Sequence, residues 1–426
     1  MGVRSKMFST PSSEPSTPNS SPGVKMNNYI PSNFQVPGFK ASGIAAGIKK
    51  NQAKDLALIY SEVPSVAAGV FTTNRVKAAP VLISRERIKS GKARAVLVNS
   101  GSANACTGKK GLADGRRLSR LIASSLKITP ETIFLASTGV IGKPLPMSLI
   151  EKNLPRLTAS LSPAGLGDAA RAILTTDTFP KAGILRGRVN GKEITLAGMA
   201  KGAGMIGPRM ATLLSFVFTD ASISLRALRQ SLKEGVQNSF NRVTVDGDTS
   251  TNDTLLILAN GEANNRKIVP HTPGYKKFSE YLHELLLKLA KMIAFDGEGA
   301  TKLVEIAVEQ ARTPSEAERV ARTIANSPLV KTAFFGEDAN WGRILCAAGY
   351  SGVPINPDRI DVFFDGVDIV RRGRGTGPEK EELATSVMKK REYKVRLNLH
   401  RGTKSASIFT TDFSFDYVKI NASYRS

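Results

Sequence analysis

The sequence predicts an α/β protein, a layered sandwich of mixed sheets with outer helices. Three observations carry that expectation. Apolar runs of strand length recur at residues 95–98, 213–218 and 254–258. Residues 184–189 and 193–196 flank Asn190-Gly191, and an Asn-Gly pair between two such runs is a strong signal for a tight antiparallel hairpin. Stretches of helical spacing lie between the strand-like runs. Hairpins mixed with helices argue against a purely parallel, doubly wound sheet. No internal repeat is visible.

Each element has its own warrant. Residues 95–98 form a short apolar run of strand length. The Asn190-Gly191 hairpin follows, and then the strand-like run 213–218. Leu225, Leu228, Leu232 and Val236 share one helical face, with Ser222 or Ser224 as N-cap. Residues 254–258 form the next strand. Helical spacing recurs at Leu282, Leu285, Leu286, Leu289 and Ile293. A further helix opens near Pro314-Ser315 and carries Ala317, Val320 and Ile324 on one face.

Composition bounds the function. The 426 residues are 41% apolar, enough for a substantial core. No run approaches the about 20 apolar residues that span a bilayer, so no membrane partner is expected. Cys106 and Cys346 stand far apart, which suggests no disulfide framework and fits a reducing compartment, the cytoplasm. His271, His283 and His400 show no metal spacing, so no metal site is expected. The net charge of +24 reads as a solvated basic surface, or as a field that steers small anions. Arg371-Arg372-Gly373-Arg374-Gly375 and Lys389-Lys390-Arg391 are the best local support for nucleic acid. No aromatic pattern of an RNA-binding module accompanies them, so no nucleic-acid partner is expected. Residues 1–32 are rich in Ser, Thr, Pro and Asn and form a disordered tail. Its one acid, Glu14, also suits an organellar transit peptide should the host be eukaryotic, and Met26 offers a second start.

The chemistry concentrates in Lys201-Gly202-Ala203-Gly204-Met205-Ile206-Gly207-Pro208-Arg209-Met210-Ala211-Thr212. Gly202, Gly204 and Gly207 have the spacing of a dinucleotide fingerprint, but Pro208 and a strand follow where a helix would have to open. A different reading fits: a side-chain-poor loop joined to a buried strand that begins at Thr212. Cleavage of the Ala211–Thr212 bond would give Thr212 a free α-amine, with a pKa of roughly 7.7–8.0. That amine can activate the neighbouring hydroxyl without a histidine. The competing reading is a glycine-rich turn before an ordinary core strand.

This segment resembles the cleavage signature of the ornithine acetyltransferases, also called glutamate N-acetyltransferases. Further segments agree in order and spacing. They are Asn99-Ser100-Gly101 with Ala103-Asn104-Ala105-Cys106-Thr107-Gly108, Ser137-Thr138-Gly139-Val140-Ile141-Gly142, and Thr175-Thr176-Asp177-Thr178. After the proposed cut come Val245-Asp246-Gly247-Asp248-Thr249-Ser250-Thr251-Asn252-Asp253-Thr254, Asp296-Gly297-Glu298-Gly299-Ala300-Thr301-Lys302 and Asn340-Trp341-Gly342-Arg343. The resemblance implies a self-cleaved N-terminal-nucleophile fold, with an α chain of residues 33–211 and a β chain of 212–426. It implies that Thr212 is nucleophile of both cleavage and transfer. Acetyl would pass from N2-acetyl-L-ornithine to Thr212 and then to L-glutamate, in arginine biosynthesis. No cofactor is implied, and acetyl-CoA is a co-substrate only in bifunctional members. Two α and two β chains would form a heterotetramer.

The resemblance also assigns roles. Thr138 and Gly139 match the oxyanion hole. Thr176 matches a substrate-contacting threonine, with the neighbouring Thr175 left open. Lys201, Glu298, Asn421 and Ser426 match substrate-binding residues. An ammonium at Lys201 suits a carboxylate, and an acid at Glu298 suits the ornithine amino group. Without the family, these residues read as a strand-ending turn, a surface lysine, a loop acid and a frayed terminus. The sequence departs from the family at Arg209, where Asn is usual, at Ser102, usually Asn, and at Ala339, usually Pro. Arg209 puts the speed of cleavage in doubt. A related N-terminal-nucleophile amidase or aminopeptidase is the alternative function.

Overall fold

The structure, a computed structural model, describes residues 30–207 and 213–423. Its first eight strands are β1 (Phe39–Ile44), β2 (Leu56–Phe71), β3 (Lys92–Ser102), β4 (Ile133–Val140), β5 (Lys181–Val189), β6 (Lys192–Lys201), β7 (Leu214–Thr219) and β8 (Thr254–Ala259). They form one mixed sheet in the order β4-β3-β2-β8-β7-β6-β5, with β1 paired to β2. β3 and β4 run parallel, as do β7 and β8, and the other neighbours are antiparallel. The strands from beyond residue 213 thus stand between β2 and β6.

The hairpin read from Asn190-Gly191 joins β5 to β6 in continuous register, from Val189 opposite Lys192 to Lys181 opposite Ala200. Asn190 (φ 51°) and Gly191 (φ 83°) are both left-handed, which matches the right-handed twist of the flanking strands.

Helices cover both faces. α1 (Ala79–Arg87), α2 (Gly108–Leu126) and α3 (Met147–Ala159) pack on the β3–β4 end, over Leu56, Leu58, Leu97 and Leu135. The opposite face carries α4 (Leu166–Ala172) with Phe34 and Phe39 over Val96, Val98, Phe216, Phe218 and Leu256. α5 (Leu225–Gln237) and α6 (Pro273–Phe295) lie over the β5–β8 region. Ser224 caps α5 by accepting the Ala227 N–H at 3.3 Å, which settles the choice against Ser222. Leu282, Leu285, Leu286, Leu289 and Ile293 of α6 are all buried, as their spacing requires.

A six-stranded sheet follows, built from β9 (Leu303–Ala311), β10 (Asp361–Phe364), β11 (Val367–Arg371), β12 (Arg374–Gly375), β13 (Glu392–Asn398) and β14 (Lys404–Thr411). α7 (Pro314–Ala325), α8 (Pro328–Phe335), α9 (Trp341–Gly349) and α10 (Pro378–Met388) enclose its core around Ile306, Val320, Phe334 and Val395. α11 (Phe415–Ser423) ends the described chain. The basic run Arg371–Gly375 has a structural role. It is the turn between β11 and β12, and Arg371 is paired with Asp361 and Asp368.

Candidate active site

Several chain segments meet at one cleft, lined among others by Thr138, Gly139, Thr175, Thr176, Lys201, Gly204, Thr251, Asn252, Glu298 and Asn421. Thr138, Gly139, Thr176, Lys201, Glu298 and Asn421, far apart in sequence, are therefore brought together. Thr175 lines the cleft as well as Thr176, so both threonines are available to a ligand. Ala211, Thr212 and Ser426 lie outside the described residues, as do Pro208, Arg209 and residues 1–29 of the tail.

Thr138 and Gly139 lie just before the last residue of β4, which pairs with β3 so that Gly139 lies opposite Gly101. Gly139 has φ 126°, and a Cβ there would stand 2.5 Å from the Gly101 carbonyl carbon. Only glycine fits on both counts. The segment before β8 braces this turn. The Asn252 amide donates to the carbonyls of Ala103 (2.7 Å) and Ser137 (2.8 Å).

Lys201 ends β6 and is 5% exposed. Its Nζ donates to Thr138 Oγ1 at 3.3 Å and lies 4.0 Å from Asp177 Oδ2. With a lone pair of Oγ1 occupied by that ammonium, the Thr138 hydroxyl proton is free for an acceptor in the cleft. Burial lowers the Lys201 pKa below the ordinary lysine value, and Asp177 opposes the shift only in part.

Asp177 is fully buried at its side chain and was not singled out from the sequence. It accepts the Gly202 N–H at 2.7 Å, the Thr175 N–H at 3.0 Å and the Lys181 ammonium at 2.6 Å. Burial would raise its pKa, but Lys181 and Lys201 together hold the carboxyl well below the usual range. Lys181 reaches on to Asp296 Oδ2 at 2.5 Å.

Glu298 follows α6 on a short turn. Its N–H donates to Ala203 O at 2.9 Å, and its Oε2 accepts the Asn421 amide at 3.0 Å. Gly204 faces this carboxylate so closely that a Cβ would lie 2.2 Å from Oε2.

The chain resumes at Leu213, which is buried. Its N–H donates to Asp253 Oδ1 at 3.1 Å, and its carbonyl accepts the Thr254 N–H at 3.0 Å. Asp253 is 1% exposed, and its Oδ2 has no hydrogen-bond partner among the described residues. Burial pushes its pKa well above the ordinary aspartate value. Asp246, which accepts the Met205 N–H at 2.5 Å, is pushed up to about 6, chiefly by burial.

Asp177 and Asp253 were visible only as members of longer matching segments, and nothing local marked Lys181. Among the described residues no cluster of His, Cys, Asp or Glu could hold a metal ion, and no helix is long and apolar enough to cross a membrane.

Comparison with known proteins places the chain among relatives. The family model described as ArgJ family matches residues 40–426. The arginine biosynthesis bifunctional protein ArgJ of Syntrophotalea carbinolica is 51% identical, over 92% of this chain and 100% of that protein. The protein of the same name from Geobacter sulfurreducens is also 51% identical, over 92% and 100%. Among solved structures, the ArgJ protein of Bacillus halodurans is 44% identical, with a TM-score of 0.47, over 49% of this chain and 98% of that one.

Proposed function

The chain belongs to the ArgJ family, and from that premise we propose that it transfers the acetyl group of N2-acetyl-L-ornithine to L-glutamate, in arginine biosynthesis, by a ping-pong reaction on Thr212. The observation that carries this reading is the cleft itself. A buried cation (Lys201), a carboxylate (Glu298) and the Thr138–Gly139 turn line one space. A carboxylate pocket and an ammonium pocket suit a small diamino acid better than a peptide.

Each residue then has a role. Cleavage before Thr212 frees an α-amine that takes the hydroxyl proton as Oγ attacks the acetyl carbonyl. Thr138 Oγ1 and the Gly139 N–H receive the developing oxyanion, an interaction whose loss costs about 10²–10³ in rate. Lys201 binds the α-carboxylate shared by acetylornithine and glutamate. Glu298, steadied by Asn421, binds the distal ammonium of ornithine, and Thr176 and Ser426 complete the contacts. Ornithine leaves, and glutamate takes the acetyl group from Thr212. Acetyl-CoA is a second donor under the bifunctional reading. The enzyme works as two α and two β chains in the cytoplasm, with no metal or cofactor.

The test combines mass analysis with a transfer assay. A fragment starting Thr212-Leu213-Leu214, acetylornithine-dependent formation of N-acetylglutamate, and loss of both in Thr212→Ala are expected. Transfer undiminished in Thr212→Ala would overturn the nucleophile. Release of acetate at the same rate without glutamate would favour an amidase instead.

A further inference from the structure

One buried ammonium links the cleft segments to each other. Lys181, at the start of β5, has a fully buried side chain, and so does Asp177, while that of Asp296 is 3% exposed. Nζ lies 2.6 Å from Asp177 Oδ1 and 2.5 Å from Asp296 Oδ2, and it sits over the Phe179 ring at 5.0 Å. An ion pair this deep is rarely the most stable way to fill a core, but removing one partner leaves an uncompensated buried charge. Its value must be sought in the geometry it enforces.

Both carboxylates hold backbone that shapes the cleft. Asp177 accepts the N–H groups of Thr175 and Gly202, so it fixes the threonine loop and the residue after Lys201. Asp296 accepts the Thr178 N–H at 3.0 Å and the Thr178 hydroxyl, so it closes the other end of that loop. Asp296 also caps α6, two residues before Glu298. The Lys201 side is thus joined to the Glu298 side through Lys181 Nζ, beside the direct hydrogen bond from the Glu298 N–H to the Ala203 carbonyl. Lys201 and Glu298 line the same cleft.

We infer that Lys181 is a positioning residue that sets the separation of the Lys201 and Glu298 anchors, and so selects the chain length of the diamino-acid donor. Lys181 touches no substrate. It determines how far apart a carboxylate and a distal ammonium must be to bind both anchors at once. The inference rests on the acetyl-transfer reading above. One methylene more or less in a fitted site is worth roughly 10–200-fold in discrimination, so the ruler has a measurable signature.

The experiment compares N2-acetylornithine with N2-acetyllysine, one methylene longer, in wild type, Lys181→Met and Thr178→Val, all as full chains. Lys181→Met is expected to raise KM for acetylornithine about tenfold and to lower its preference over acetyllysine about fivefold. Thr178→Val removes the hydroxyl tether at an exposed position and leaves the buried charges paired. It is expected to lower the same preference about twofold, with kcat little changed. If Lys181→Met does not fold, the preference in Thr178→Val decides alone. A role confined to stability would reduce the active fraction while KM and the preference stayed at wild-type values, and that result overturns the inference. A wild type that transfers acetyl from neither donor overturns the reading of the reaction, and the ruler with it.

Discussion

Lys201 holds an ammonium where little water reaches it. Burial has the largest influence on its proton affinity and lowers it, and Asp177 restores only part. The ammonium is therefore lost at a lower pH than in a free lysine. Because the charged form binds the carboxylate, KM for glutamate should rise with pH on the alkaline side, before the ordinary lysine value of 10.5 is reached. Lys201→Arg should flatten that limb, since a guanidinium does not titrate there; an alkaline limb that persists in the variant would remove Lys201 from carboxylate binding. Gly204 allows a second test at this scale. The clash of a new Cβ falls on the end of the Glu298 side chain, which can swing aside. Gly204→Ala should leave the melting temperature nearly unchanged and raise KM for acetylornithine about tenfold, the equivalent of one charge-assisted contact. Steady-state kinetics beside a thermal melt decide it. The sequence displayed these residues unevenly. Lys201, Glu298 and Asn421 could be placed because they stand in or align with recognisable segments. Lys181 could not, because a lysine in an unremarkable strand reads as surface until its two carboxylates are seen folded around it.

Among the elements, local signals are legible in the sequence and long-range pairings are not. The Asn190-Gly191 turn and the periodicity of α5, α6 and α7 depend on neighbours a few residues away, and each appears as expected. The parallel pairing of β7 with β8 and the insertion of both between β2 and β6 depend on contacts that no local pattern encodes. The same holds for β10 to β13, short strands with little to distinguish them in sequence. The end of β4 is where element geometry bears hardest on the site. At Gly139 a side chain would meet both a positive φ and the backbone of Gly101. Gly139→Ala should destabilise the fold by about 2–4 kcal/mol and reduce transfer more than stability alone explains. Urea unfolding with activity measured on the folded fraction tests both, and a variant with wild-type stability would show that β3 and β4 can move apart there.

Across the whole molecule, the larger sheet mixes strands from both sides of the expected cut, whereas the smaller sheet comes entirely from beyond it. The site lies where the two parts meet. Thr138, Thr176 and Lys201 come from one part, and Glu298 and Asn421 from the other. The net charge of +24 is carried largely outside this cleft, in turns such as Arg371–Gly375, where Arg371 already faces Asp361 and Asp368. That distribution explains why bulk charge said little about the substrate.

The order of strands in the larger sheet has a genealogical consequence. β8 and β7 are wedged between β2 and β6, so the N-terminal half on its own would be a sheet with its middle missing. Neither half can withdraw from a folded molecule without tearing out central strands. Once cut, each half should remain for life with the sibling translated beside it. Mixing isotopically heavy and light preparations, followed by native mass measurement of the paired halves, should yield no hybrids. A damaged half could then not be replaced from a neighbour, and two defective alleles with lesions in opposite halves would not rescue each other by trading parts after folding.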